Sequence, residues 1–251
     1  MFSAKVVILL AAAAVCYGAP NAKSYNNRLK IAGGSAANIE DYPFSVSVQQ
    51  CDPTCHQICG GAIINNEWIL TGARCTDGPL KVAVGANTEN LIEVESEYTH
   101  ANHPRPDGFG ENDLTLLKLS RKLTFNDKVQ PAKLPRSRQQ FTGTAVLTGF
   151  ANNIFQAAVD LNLVSNSECQ AALEEANPHL YDLIKVSHLC TLNQTPNIRE
   201  NDLGSPLSKD GIVIGTVTWE VQPYGINGAP NVFTRLASHT DWINDTITRN
   251  S

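Results

Sequence analysis

The stretch CGGAIINNEWILTGARC, residues 59–75, decides the reading of this chain. It opens and closes on cysteine and sits among short alternating or β-branched runs. These are FSVSVQ (44–49), LKVAVG (80–85), LIEVESE (91–97), LTLLKL (114–119), TAVLTGF (144–150), AVDLNLV (158–164) and IVIGTVTW (212–219). Turn-forming clusters separate them, among them CDPT, TDGP, RPDGFGEND, SKDG and YGINGAP. Many short strands punctuated by turns predict an all-β sandwich or barrel. Two segments break the pattern and read as helices, SNSECQAALEEA (165–176) and LASHTDWINDTITRN (236–250). In the second, Leu236, Trp242, Ile243 and Ile247 fall on one face at helical spacing. The polar run RKLTFNDKVQPAKLPRSRQQ (121–140), with two prolines, is the best internal boundary and splits the chain into halves of similar size.

The N-terminus carries Lys5, the ten apolar residues VVILLAAAAV (6–15) and the small-residue exit CYGAP. This is the pattern of a secretory signal peptide, with cleavage expected after Gly18. Ten apolar residues are too few to span a bilayer, and no later segment would anchor the chain. The next segment, APNAKSYNNRLK (19–30), has no apolar periodicity and ends on a basic residue; composition alone favours a disordered tail.

The whole chain has a formal net charge of −5. Residues 1–30 hold Lys5, Lys23, Arg28 and Lys30 and no acid, so their removal leaves 15 bases against 24 acids, a net charge of −9. An acidic chain without basic runs is a poor partner for nucleic acid or an anionic membrane surface. Of seven cysteines, Cys16 lies in the signal peptide, leaving Cys51, Cys55, Cys59, Cys75, Cys169 and Cys190. An even number in a secreted chain implies disulfides, with fifteen pairings open. NQT at Asn193 and NDT at Asn244 are candidate glycosylation sites.

IAGG (31–34), CGGAIINNEWILTGARC (59–75), NDLTLLKL (112–119), NDLGSPL (201–207), VTWE (217–220), APNVFTRL (229–236) and DWI (241–243) together resemble the chymotrypsin/trypsin family of secreted serine proteases. They occur in family order and spacing over nearly all of residues 31–251. The resemblance implies two packed six-stranded antiparallel β-barrels, about 31–130 and 131–251, with a cleft between them and a closing C-terminal helix. It also implies a propeptide, 19–30, cut between Lys30 and Ile31, whose freed amine would pair with Asp202.

The family's chemistry needs an attacking hydroxyl, an imidazole that takes its proton and a carboxylate that orients the imidazole. The resemblance puts Arg74 in the place of the imidazole, Leu203 in the place of the hydroxyl and Asp113 in the place of the carboxylate. A guanidinium has no acceptor lone pair and stays protonated, so Arg74 cannot serve as a base. Leu203 has no lone pair at all. Asn201 stands where the family's oxyanion hole uses glycine. Asn197 falls at the base of the specificity pocket, Glu220 and Asn231 in its walls, and Arg199 at one end of a missing family disulfide. Ser205 and the histidines (56, 100, 103, 179, 188 and 239) offer no aligned replacement; such residues usually serve turns and packing. A catalytically inactive protein is expected, with Arg74 and Asp113 forming an ion pair across the former active site.

The family pattern further implies Cys59–Cys75 and Cys169–Cys190, leaving Cys51 and Cys55 to pair locally. Cys51, Cys55, His56 and Cys59 also have a zinc-like cadence, but an oxidising compartment favours disulfides, and neither metal nor cofactor is expected. Within the family the chain most resembles the inactivated protease paralogues of the scabies mite, relatives of the trypsin-like mite allergens. That likeness implies a secreted, monomeric, allergen-like glycoprotein of the gut lumen. Its partners would be host proteins, complement components among them, with immune evasion as the outcome. A binding or cascade cofactor with another partner is the alternative, and a weak trypsin-like endopeptidase the least favoured.

Overall fold

In the computed structural model, which describes residues 34–87, 90–104, 110–151, 154–192, 198, 200–219 and 229–251, the alternating runs close into two barrels. The first comprises β2 (Ser45–Cys51), β3 (Cys55–Ile63), β4 (Trp68–Thr71), β5 (Leu80–Ala83), β6 (Leu91–Thr99) and β7 (Thr115–Leu119). Its strands run in the closed antiparallel order β2-β3-β4-β7-β6-β5. The second is built from β8 (Thr144–Ala151), β9 (Ile154–Val164), β10 (His188–Leu192), β11 (Pro206–Lys209), β12 (Ile212–Trp219) and β13 (Asn231–Arg235). Its order is β9-β10-β13-β12-β11-β8, closed by a β9–β8 pairing. A two-residue strand, β1 (Ser35–Ala36), pairs with β9, so residues 35–36 are fastened to the second barrel. Residues 121–140 lie between β7 of the first barrel and β8 of the second.

Each barrel has an apolar interior drawn from alternate strand positions. Val46 and Val48 of β2 pack with Ile63, Ile69, Val82 and Leu117, and the same cluster continues through Leu147, Leu161, Leu207, Val217 and Phe233 of the second barrel. The intervening positions of β2 are polar yet buried: Ser45 and Ser47 are about as enclosed as the valines. The reason is the neighbouring barrel, because the Ser45 hydroxyl hydrogen-bonds the Thr148 hydroxyl on β8 at 2.7 Å.

The two helices form where sequence places them. Helix α1 (Asn166–Ala176) starts with a capping box in which the Ser165 side chain accepts from the Glu168 N–H and Glu168 reaches back to the Ser165 N–H. Helix α2 (Thr240–Arg249) begins later than the periodicity implied, after a 3₁₀ turn at Leu236–Ser238. Leu236 and Ile243 nonetheless pack together, against Trp68, Leu70, Leu114 and Leu116. The C-terminal segment thus crosses back to the first barrel, where Lys118 donates to the Asn250 carbonyl at 2.7 Å. Cys51–Cys55, Cys59–Cys75 and Cys169–Cys190 are all bonded, so the zinc-like cadence has no free thiol to ligate with. Among the described residues no helix is long and apolar enough to cross a membrane.

Candidate functional site

Asp113, just before β7, is 1% exposed and marks the junction of the barrels. Its Oδ1 accepts from the Ala73 N–H at 2.6 Å and its Oδ2 from the Thr218 hydroxyl at 2.6 Å. Ala73 belongs to a 3₁₀ turn, Ala73–Cys75, pinned to β3 by the Cys59–Cys75 disulfide. Thr218 comes from β12 of the second barrel. One carboxylate therefore joins elements from both halves. Burial pushes its pKa up; the Thr218 hydroxyl, the nearby His103, the Ala73 N–H and Arg74 pull the other way without cancelling it.

The expected ion pair between Arg74 and Asp113 is not formed. Among the described residues no salt bridge joins them, and Arg74 is exposed. The physical reason is that Asp113 already has a neutral donor on each oxygen. A buried guanidinium would add a large desolvation cost for little further gain. The turn that directs the Ala73 N–H inward sends the next side chain outward.

Leu203 sits in the loop opposite, 5% exposed, and packs into the cluster that runs through both barrels. Its carbonyl accepts from the Gly60 N–H at 2.8 Å. The following Gly204 has φ +73°, and a Cβ there would lie 2.6 Å from the Gly60 carbonyl oxygen and 2.8 Å from the Gly72 nitrogen. Only glycine fits that approach of loop to β3. Ser205 is fully buried against Gly60 and does not open onto the cleft. Asn201 lies in a 3₁₀ turn, Glu200–Asp202. It is tied to β3 twice, its side chain donating to the Gln57 carbonyl at 3.3 Å and its own carbonyl accepting from the Gln57 amide at 3.4 Å. Asp202 is fully buried at the end of the same turn.

Between these loops lies a cavity of about 530 Å³ whose lining includes His56, Gln57, Arg74, Asp77, His103 and Leu203, together with Ala73 and Asn201. Of the six histidines, His103 is the one that sequence reasoning undervalued. It is 8% exposed, faces the cavity, and its Nδ1 has no hydrogen-bond partner among the described residues. Nothing in its local sequence announces this; it ends a short turn in which the His103 N–H donates to the His100 carbonyl at 3.0 Å. Thr218 was also missed as a ligand of the carboxylate, since a threonine in a strand reads as an ordinary β-former.

His100, His188 and His239 serve packing, whereas His56 and His179 are exposed. The His188 Nδ1 accepts from the Lys185 N–H at 3.1 Å, and its Nε2 lies 3.3 Å from the Gly110 carbonyl. His239 stacks edge-on against His100, which also meets Trp242. Burial lowers the pKa of His100, His188 and His239. Asn231 is buried at the start of β13, where its side chain accepts from the Ile198 N–H and donates to the Thr191 hydroxyl, both at 3.3 Å. Asn244 is exposed on α2. The expected signal peptide and propeptide (1–30), Ile31, Asn193, Asn197, Arg199 and Glu220 lie outside the described residues.

The order of strands, the paired barrels and the cleft between them can be set beside known proteins. A family model described as Trypsin matches residues 31–243. The chain belongs to the trypsin family. Among trypsin-family relatives it is 30% identical to a trypsin of Phaedon cochleariae over 244 residues, covering 88% of this chain and 89% of the relative. It is 29% identical to the mouse kallikrein 1-related peptidase b22 over 248 residues, covering 88% and 91%. The solved structure of mouse neuropsin, a serine protease, superposes with a TM-score of 0.74 at 23% identity, over 85% of this chain and 98% of that one. At that identity the superposition speaks to the fold, and the fold agrees.

Proposed function

We propose that this trypsin-family chain is a secreted pseudoprotease that acts by binding other proteins. The observation that carries the reading is the environment of Asp113. In the family its carboxylate orients an imidazole; here it accepts from the Ala73 N–H and the Thr218 hydroxyl, and the side chain after Ala73 is an exposed guanidinium, which has no acceptor to serve as a base. Across the cleft, Leu203 fills the place of the hydroxyl and is held in the apolar core. No serine or threonine is among the described residues that line the cavity. Loss of the nucleophile or the base alone costs roughly a millionfold in turnover in an enzyme that uses the same triad mechanism.

Asn201, in a 3₁₀ turn without the left-handed backbone that glycine supplies, supports the same reading. Processing after Lys30 remains part of the proposal: the resemblance pairs a new amine at Ile31 with Asp202, which is buried, and β1 fastens residues 35–36 to the second barrel. N-terminal sequencing of native protein tests that step. As for partners, the likeness to mite paralogues makes complement components the first class to examine.

Two assays decide. Purified protein is incubated with a broad peptide library beside the Arg74→His, Leu203→Ser double variant. The wild type should show no turnover above a buffer blank, and the double variant little. In parallel, hemolysis through each complement pathway is measured with added protein. Inhibition supports the host-defence reading, whereas normal hemolysis with capture of a different serum protein favours a cascade cofactor. Turnover like that of a digestive endopeptidase, with contamination excluded, overturns the proposal. His103 near Asp113 is the one feature that favours residual hydrolysis, and the library assay covers it.

A further inference from the structure

We infer that the cleft binds an acidic side chain of a partner polypeptide, held between the Arg74 guanidinium and the His103 imidazole. The inference rests on the binding role proposed above and names its ligand chemistry. Arg74 lines the cavity, and among the described residues it has neither an ion pair nor a side-chain hydrogen bond. Its five donors form a planar fork that matches a carboxylate in two parallel bonds. A lone exposed arginine would carry no argument. His103 supplies the second observation, because its ring is more than nine-tenths buried, lines the same cavity and leaves Nδ1 unpartnered. A buried polar nitrogen without a partner costs free energy that a ligand atom would recover.

The other charges around the cavity limit where an anion would sit. Asp113 is not among the residues lining it and is buried, each oxygen accepting one hydrogen bond. Asp77 also lines the cavity and is exposed, so its carboxylate opposes an acidic ligand and weakens the site's net attraction. The Gln57 and Asn201 side-chain amides each donate to the other's backbone carbonyl, which leaves the Arg74 cation as the dominant donor. A volume of about 530 Å³ falls in the usual range for a site that encloses a few residues' worth of ligand. A partner's glutamate or aspartate, presented on a short loop, fits that space and that charge.

The test uses the full mature chain and three probes: a capped pentapeptide with a central glutamate, the same peptide with glutamine, and sodium acetate. Binding is followed by calorimetry at low and moderate salt. The glutamate peptide should bind at least tenfold more tightly than the glutamine peptide, with the difference shrinking as salt rises. Arg74→Gln, at an exposed position, should abolish that difference, and Arg74→Lys should keep part of it. Equal affinities for the two peptides, or discrimination that survives Arg74→Gln, would overturn the inference. So would acetate binding as tightly as the glutamate peptide, since the site would then be one for free carboxylates. Hydrolysis of the peptides would strike the proposed function, whereas absence of both hydrolysis and binding would strike this inference alone.

Discussion

Replacing Asp113 by alanine strips the acceptor from two buried donors, the Ala73 N–H and the Thr218 hydroxyl, each now bonded at 2.6 Å. An orphaned buried donor costs about 1–3 kcal/mol, and relief of the carboxylate's own desolvation offsets part of the sum. A net loss of about 2 kcal/mol is expected, or roughly 4–8 °C in Tm for a chain of this length. Asparagine tells a different story. Its carbonyl keeps the Ala73 bond, its amide faces a hydroxyl able to turn from donor to acceptor, and no charge is buried. Asp113→Asn should therefore stay within about 1 kcal/mol of wild type at neutral pH.

The pH trend has a definite sign. Burial raises the Asp113 pKa, so the folded state holds the proton more firmly than the unfolded chain. Its contribution is fully present below the unfolded pKa and is lost as pH rises through the folded one. Asp113→Asn should gain on wild type over that interval. Urea titrations followed by near-UV circular dichroism at several pH values, with Arg74→Ala as a control, measure all of this. The control should change stability little. If asparagine proved as damaging as alanine, or Arg74→Ala as damaging as either, the carboxylate's charge would be paired after all and the account of the site would fail.

Three further outcomes are expected. His188 is fully buried with Nδ1 accepting from Lys185, so protonation there would break a bond and bury a charge. Because its folded pKa is lowered, stability should be fully present above about pH 6.5 and fall as pH drops toward the folded value. His188→Gln should flatten that stretch of the Tm profile. Gly204→Ala should destabilise by about 2–4 kcal/mol, from left-handed strain plus contact with the Gly60 and Gly72 backbones, read by thermal melting. Leu203→Ala should cost about 2 kcal/mol in urea, the low end for a buried leucine, because the adjoining cavity already leaves one side loosely packed.

Sequence alone determined much of this protein. Alternation in runs such as IVIGTVTW placed β12 at Ile212–Trp219, and cysteine number with the family pattern anticipated all three disulfides. The chemistry available at positions 74 and 203 is equally a sequence property, since a guanidinium lacks an acceptor and leucine lacks a hydroxyl in any conformation. Tertiary structure decided who meets whom. Asp113 is satisfied by Thr218, 105 residues away in the other barrel, and by a backbone N–H that no side-chain pattern reveals. That is why Arg74 was free to turn outward and His103 came to face the cleft. A side chain's chemistry is carried by its own atoms, whereas the partner of a buried charge is set by which distant elements packing brings within about 3 Å.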